Sequence, residues 1–198
     1  MATVRFYKYV TPPKGETKIT VGSKTVAGTQ FSTTIKAINS LGATVNSIAV
    51  GLTGAWLCSK HYGTQISKNK DGGSIVNISS DLALIAPDQR LYIKKNETEK
   101  NRSVKPVTYS VVKSGLIGLT RYLSTYWADK GVRCNVMCPG GIENGQSNEF
   151  LDKVKTRIPM GRLAKSDEYQ GTLIWMLSNA SSYLNGAVVP VDGGRTVW

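Results

Sequence analysis

A tyrosine and a lysine four residues apart, Tyr109 and Lys113, are the residues of this chain best spaced to do chemistry. On a helix a four-residue step puts both side chains on one face, so the ammonium stands near the phenol. A free phenol ionises near pH ~10, and a neighbouring cation favours the phenolate, which moves a tyrosine toward acid/base work at neutral pH. Such pairs are also common on ordinary helix surfaces, so the elements around the pair must decide its use.

Those elements alternate. Ser74 to Ser80 is a β-branched run bounded by glycines and serines, as a buried parallel strand looks. Pro106 opens a helix from Val107 to about Asp129 that carries the pair. Gly131 follows, then a second buried strand, Val132 to Val136, ended by Pro139-Gly140-Gly141. Thr53 to Ser67 is helix-compatible, Ser166 is a good N-cap for a helix through Met176, and Ala187 to Val191 is the last strand. Strands alternating with helices imply an α/β fold: a doubly wound, mostly parallel sheet with helices on both faces. Ligands gather outside the carboxyl ends of such strands, where Ser80 and Pro139-Gly140 fall. The stretch Asp81 to Pro106 is too long for a plain connection and is either a functional lid or an insertion.

Residues 1–50 have a different character from residues 51–198, and the two are read as separate units. Val4 to Val10 alternates as a strand does, and Ile19 to Val21 with Lys24 to Val26 flank Gly22-Ser23 as in a hairpin. Phe31, Ile35, Ile38, Leu41, Val45, Ile48 and Leu52 recur at steps that fit a coiled-coil seam, a plain amphipathic helix, or a helix broken at Gly42.

Composition narrows the function. At 198 residues, 40% of them hydrophobic, the chain suits one α/β domain with a sizeable core. No apolar run approaches the ~20 residues of a membrane helix, and Met1 to Phe6 lacks a signal peptide's blocks, so the expectation is a cytoplasmic protein. Cys58, Cys134 and Cys138 read as reduced core thiols, and a single histidine, His61, argues against metal sites and Ser-His-Asp triads. The net charge of +12 attracts anions, but the basic residues are scattered, with only Lys94-Lys95 and the Lys100 to Lys105 stretch clustered, and no nucleic-acid motif accompanies them.

Asn77-Ile78-Ser79-Ser80, Tyr109-x-x-x-Lys113, Asn135 to Ile142 and Val191-Asp192-Gly193-Gly194, in that order, resemble the catalytic half of the short-chain dehydrogenase/reductase family. The resemblance covers roughly residues 50–198 and implies a Rossmann-like fold, NAD or NADP as cofactor, a small-molecule substrate and a homo-oligomer. Carried onto this chain, it makes Tyr109 the general acid that protonates a carbonyl oxygen. Lys113 tunes Tyr109 and binds the nicotinamide ribose, and Ser80 polarises the carbonyl, with Ser79 structural. The backbone at Pro139, Gly140 and Ile142 contacts the nicotinamide edge, with Asn144 where the family often has threonine. Asp81 to Pro106 looks like a variant from bacterial sugar-modifying and surface-polysaccharide clusters, either receiving an anionic or nucleotide-linked sugar or lying as a solvated insertion.

The chain departs from the family in two places. The glycine-rich dinucleotide loop is not intact: in Thr20 to Gly28, its nearest candidate, Val21, Thr25 and Ala27 stand where glycines let the backbone approach a pyrophosphate. Gly51 stands where the family has an asparagine that holds a relay water. The expected Rossmann-like sheet is therefore incomplete or atypical. Ala37 to Ala49 looks like segments of tailed-phage virion proteins, which gives the alternative of a non-catalytic structural or virion-associated protein on a truncated dehydrogenase fold.

Overall fold

A computed structural model describes residues 18–21, 24–27, 48–94, 96–98 and 102–197. The strand expected at Val4 to Val10 and most of the seam from Phe31 to Leu52 lie outside the described residues.

Strands β1 (Lys18–Val21) and β2 (Lys24–Ala27) form an antiparallel hairpin, Val21 opposite Lys24, as the Gly22-Ser23 spacing implied. The described part of the main sheet is parallel. Strands β3 (Gly73–Ile78), β4 (Val132–Pro139) and β5 (Val188–Val191) lie in the order β3-β4-β5, with Gly73 opposite Val132 and Pro139 opposite Val191. Helices α1 (Gly54–Ile66), α2 (Val107–Tyr126), α3 (Asn148–Lys155) and α4 (Gln170–Leu177) connect them.

β4 is central and buried on both sides, so its period of two sorts residues between two cores. Val132, Cys134, Val136 and Cys138 face α2, where Ile117, Leu123 and Trp127 complete the packing. Met137 faces the opposite layer with Tyr169 and with Met176 of α4. Helices thus cover both faces, which is the doubly wound arrangement expected. Arg133 and Asn135 point toward the α4 side without wasting their polar groups. Arg133 donates to the carbonyls of Met176, Ser178 and Leu184, and Asn135 bonds Leu184 O and Ala187 N.

α2 buries Thr108, Val112, Leu116, Thr120 and Leu123, steps of three and four that form one stripe. It ends at a short 3-10 turn and at Gly131, whose φ of 68° is left-handed. Gly72, at φ 63°, abuts it so closely that a Cβ would lie 2.1 Å from Gly131 O. This close approach lets β3 and β4 start side by side, and Gly73 N donates to Gly131 O at 3.2 Å.

Two boundaries differ from the sequence expectation. α4 begins at Gln170 with no side-chain cap, not after Ser166. Glu168 is the cause: its carboxylate accepts from Arg162 and from Lys165 N, each at 2.7 Å, and holds residues 166–169 in a turn instead of a first helical turn. Residues 49–53 form a π-helical turn leading into α1, a variation the apolar spacing did not signal.

The stretch after β3 is docked, not free. Its short 3-10 turns, Asp81–Ala83 and Gln89–Leu91, bring Leu91 into a cluster with Val154, Ile158 and Leu163. Asp88 accepts from both Arg90 and Arg157, and Lys153 donates to Ile93 O at 2.9 Å. The stretch is thereby fastened over α3.

Candidate active site

The carboxyl end of β3 is stapled to the first two turns of α2. Ser79 Oγ donates to Lys113 O at 2.7 Å, and Lys113 Nζ donates to Ile78 O at 3.0 Å. Ser79 is therefore structural, as expected. One turn earlier on the same face lies Tyr109, with Lys113 Nζ 5.7 Å from its ring centroid. Burial pushes the Lys113 ammonium below the ordinary lysine value. Cys138 counters this in part, and Lys105 adds to the lowering. Among the described residues the Tyr109 hydroxyl makes no hydrogen bond within the protein, so it is free to meet a ligand.

Ser80 follows Ser79 directly and is buried, but its hydroxyl is engaged. It donates to Asp81 Oδ1 at 2.8 Å and accepts from Leu82 N at 3.2 Å. Asp81 Oδ1 also accepts from Leu82 N, and Oδ2 accepts from Arg195 Nη1 at 2.8 Å. This ion pair is almost fully enclosed, with side-chain exposures of 9% for Arg195 and 4% for Asp81. Sequence reasoning missed both residues. Their only signal was position: Asp81 follows the serine pair, and Arg195 follows Asp192-Gly193-Gly194. Because the ionised carboxylate cannot donate, Ser80 must be the donor in that contact. To give its proton to a substrate carbonyl it must turn away from Asp81, which would keep Leu82 N and Arg195 as partners.

One further side chain from the docked stretch reaches the pair, and Tyr92 lies on the far side of it. Lys105 Nζ stands 4.0 Å from the Tyr109 ring centroid and 5.8 Å from that of Tyr92. Burial lowers Lys105 below the ordinary lysine value and raises the Tyr92 phenol above its usual one. Tyr92 also lines a cavity of about 250 Å³ between the stretch and α3, beside Lys94, Ser103 and Phe150.

Pro139 ends β4 beside Ser79, whose N–H donates to Met137 O at 2.8 Å. The Gly140 backbone is fully engaged: N–H on Val191 O at 2.9 Å, carbonyl on the Tyr169 hydroxyl at 3.0 Å. Burial first, and then the Asp81, Glu168 and Asp192 carboxylates, push Tyr169 up to about 12, so it serves as a neutral donor. Ile142 forms an isolated parallel bridge with Ala164, and its carbonyl accepts from Gln146 Nε2. Asn144 N–H donates to Gln146 Oε1 at 2.7 Å. A cavity of about 170 Å³ beside Gly140, Gly141 and Tyr169 is lined by none of Ser80, Tyr109 or Lys113.

Gly51 lies in the π-helical turn against α2. A Cβ there would come within 2.6 Å of Val112 Cγ1, so Val112 fills the space an asparagine side chain would need. Among the described residues no group of three or more His, Cys, Asp or Glu side chains is placed to hold a metal.

The residues present fit one end of a nicotinamide dinucleotide. Lys113 keeps two N–H donors beyond its Ile78 bond, next to the unengaged Tyr109 hydroxyl, which suits a ribose diol. The pyrophosphate end has no such receptor among the described residues. Thr25 and Ala27 belong to a hairpin strand, not to a glycine loop opening a helix.

Comparison with known proteins agrees with this geometry. A family model described as enoyl-(acyl carrier protein) reductase matches residues 25–196, starting well ahead of residue 50. An uncharacterised oxidoreductase of Thermotoga maritima is 32% identical over 160 residues, covering 76% of this chain and 57% of that protein. D-threitol dehydrogenase of Mycolicibacterium smegmatis is 29% identical over 157 residues, covering 77% of this chain and 54% of that one. A short-chain dehydrogenase from Leptospira borgpetersenii, solved with bound NAD+, superposes with a TM-score of 0.67 at 30% identity, over 75% of this chain and 54% of that chain. The chain thus spans little more than half the length of these relatives.

Proposed function

The chain belongs to the short-chain dehydrogenase/reductase family, and on that footing we propose that it is an NAD- or NADP-dependent oxidoreductase acting on a carbonyl or hydroxyl of a small, sugar-like substrate. The D-threitol relative supports the substrate class, and the NAD+-bound Leptospira structure supports the cofactor. One observation carries the reading: Lys113 is tied to the end of β3 beside Ser80 while the Tyr109 hydroxyl, one turn away, stays free.

The nicotinamide supplies or accepts the hydride. Tyr109 gives the carbonyl oxygen its proton, or takes the proton from the alcohol. Lys113 orients the ribose with the two donors it does not use on Ile78. Ser80 spends its proton on Asp81 and one lone pair on Leu82 N, so as it stands it cannot donate to the reacting oxygen. After turning from Asp81 it donates to a carbonyl. Pro139, Gly140 and Ile142 would border a bound nicotinamide, Gly140 through its surface because its backbone polar groups are engaged.

We assign residues 51–198 as the catalytic unit and residues 1–50 as an atypical N-terminal segment. A homo-oligomer is supported by apolar surface that the described residues leave open: Tyr122 and Tyr126, stacked at 5.6 Å on α2, and Ile174 and Trp175 on α4. No helix among the described residues is long and apolar enough to cross a membrane, and we place the protein in the cytoplasm.

The test is NADH and NADPH fluorescence titration of the chain, then turnover on a panel of polyols and keto sugars. Saturable cofactor binding is expected, with Tyr109→Phe retaining it and losing about 10²- to 10⁴-fold in turnover. No binding at millimolar cofactor would overturn the proposal.

A further inference from the structure

Among the described residues one charged group at the site has no use in the fold: the Lys105 ammonium. Its backbone is fixed, the N–H donating to Gln89 Oε1 at 2.9 Å, and Pro106 follows at the head of α2. Its side chain is half-buried between two aromatic faces, Tyr109 at 4.0 Å and Tyr92 at 5.8 Å. No described carboxylate pairs with it, and no described acceptor takes its three N–H donors. Asp81 is the acid that acts on it from a distance, but Arg195 already neutralises Asp81 through a 2.8 Å ion pair.

A partly desolvated ammonium with free donors is costly, and aromatic faces recover only part of that cost. The same features make a receptor. The charge is fixed in place, its donors are unused, and the lowered dielectric around it strengthens any contact with an oxyanion. It also stands over the ring whose hydroxyl would meet the reacting oxygen, so a compact substrate can touch both.

We infer that Lys105 is the anion receptor of the substrate site, binding a carboxylate or phosphate carried by the molecule whose reacting carbon meets Tyr109. This rests on the proposed oxidoreductase function and narrows it, because it selects acidic or phosphorylated sugars over neutral polyols. Lys105 is a specificity residue, distinct from Tyr109 and Lys113.

The test is calorimetric binding to the full chain without cofactor, using sodium gluconate, glucose 6-phosphate and sorbitol as probes. At least one anion is expected to bind tenfold or more tighter than sorbitol. Gluconate alone would mark a carboxylate ligand, and glucose 6-phosphate alone a phosphate ester. Lys105→Met should weaken the anion by about ten- to a hundredfold, as loss of a charged hydrogen-bond partner does, and leave sorbitol unchanged. Lys105→Arg keeps the charge and should retain most of the preference, which separates recognition from a folding defect. Equal binding of sorbitol and both anions, or an anion affinity indifferent to Lys105→Met, overturns the inference. So does displacement of the anion by NADH or NADPH, which would assign Lys105 to the cofactor. Anion preference without turnover would sink the enzyme reading alone. Turnover confined to neutral polyols would sink this inference alone.

Discussion

Arg195→Met removes the ion-pair partner of Asp81, and its cost follows from the enclosure of the pair. Asp81 has 4% of its side chain exposed and Arg195 9%, so solvent cannot screen what remains. After the substitution the carboxylate keeps Leu82 N and Ser80 Oγ, both at 2.8 Å, but loses the guanidinium. Breaking a buried pair by deleting one partner costs about 3–5 kcal/mol, and the two surviving hydrogen bonds put this case near the lower figure. With a urea m-value of about 2–3 kcal/mol/M, a loss near 3 kcal/mol lowers the unfolding midpoint by about 1–1.5 M. The companion variant Asp81→Asn/Arg195→Met removes both charges and keeps an amide oxygen for Leu82 N and Ser80, so it should return to within about 1 kcal/mol of wild type. Urea unfolding followed by tryptophan fluorescence reads both. A single-variant loss below about 1 kcal/mol, or a double variant no better than Arg195→Met, would refute the claim that the pair is a desolvated strut under Ser80.

Gly51→Asn, which installs the relay amide of the family, should destabilise by about 1–3 kcal/mol because Val112 Cγ1 stands 2.6 Å from the new Cβ; Gly51→Asn/Val112→Ala should recover most of this in the same urea assay. Thiol labelling with a disulfide reagent at pH 8 should leave Cys134 and Cys138 untouched in the native protein and label both in denaturant. Burial pushes Cys134 up to about 12 and raises Cys138 above the ordinary thiol value, both side chains are fully enclosed, and fast native labelling of either would contradict their placement in the core.

What the sequence showed was what local rules control. The strand at Ile75 to Ile78, the helix from Val107 and the Gly22-Ser23 hairpin are each set by residue types within one element, and the structure has all three. The Tyr109 and Lys113 face follows from helical spacing alone. Where a distant partner intervenes, the local signal fails. Ser166 has a good capping side chain, yet Glu168, bonded by Arg162 and Lys165 N, turns the chain so that the helix starts later. Asp81 and Arg195 are 114 positions apart, and no periodicity links them. Lys105 read as part of a clustered basic stretch, Lys100 to Lys105, but nothing in its neighbours' identities says that Tyr92 and Tyr109 will flank it. Gly51 was legible as a missing amide but not as a packing necessity, since Val112 meets it only where the π-helical turn packs on α2.

The three expected catalytic side chains are held in different ways, and the difference bears on how the site works. Lys113 is fixed by Ile78 O and by its own carbonyl on Ser79, and Ser80 by Asp81 and Leu82. Both are positioned by bonds that survive without ligand, so little of their ordering remains to be done on binding. Tyr109 alone keeps its hydroxyl uncommitted among the described residues, while its ring is held near the cations of Lys105 and Lys113. A proton carrier must exchange partners during a reaction, whereas orienting groups must not. On the proposed function, the fold fixes the two residues that would orient and leaves open the one that would carry the proton. Ser80 differs from Lys113 in one respect: its donor already has a strong acceptor in Asp81, so a carbonyl ligand must compete with a carboxylate for that proton. The same holds for an alcohol, whose single proton would go to Tyr109 and whose oxygen could only accept from Ser80.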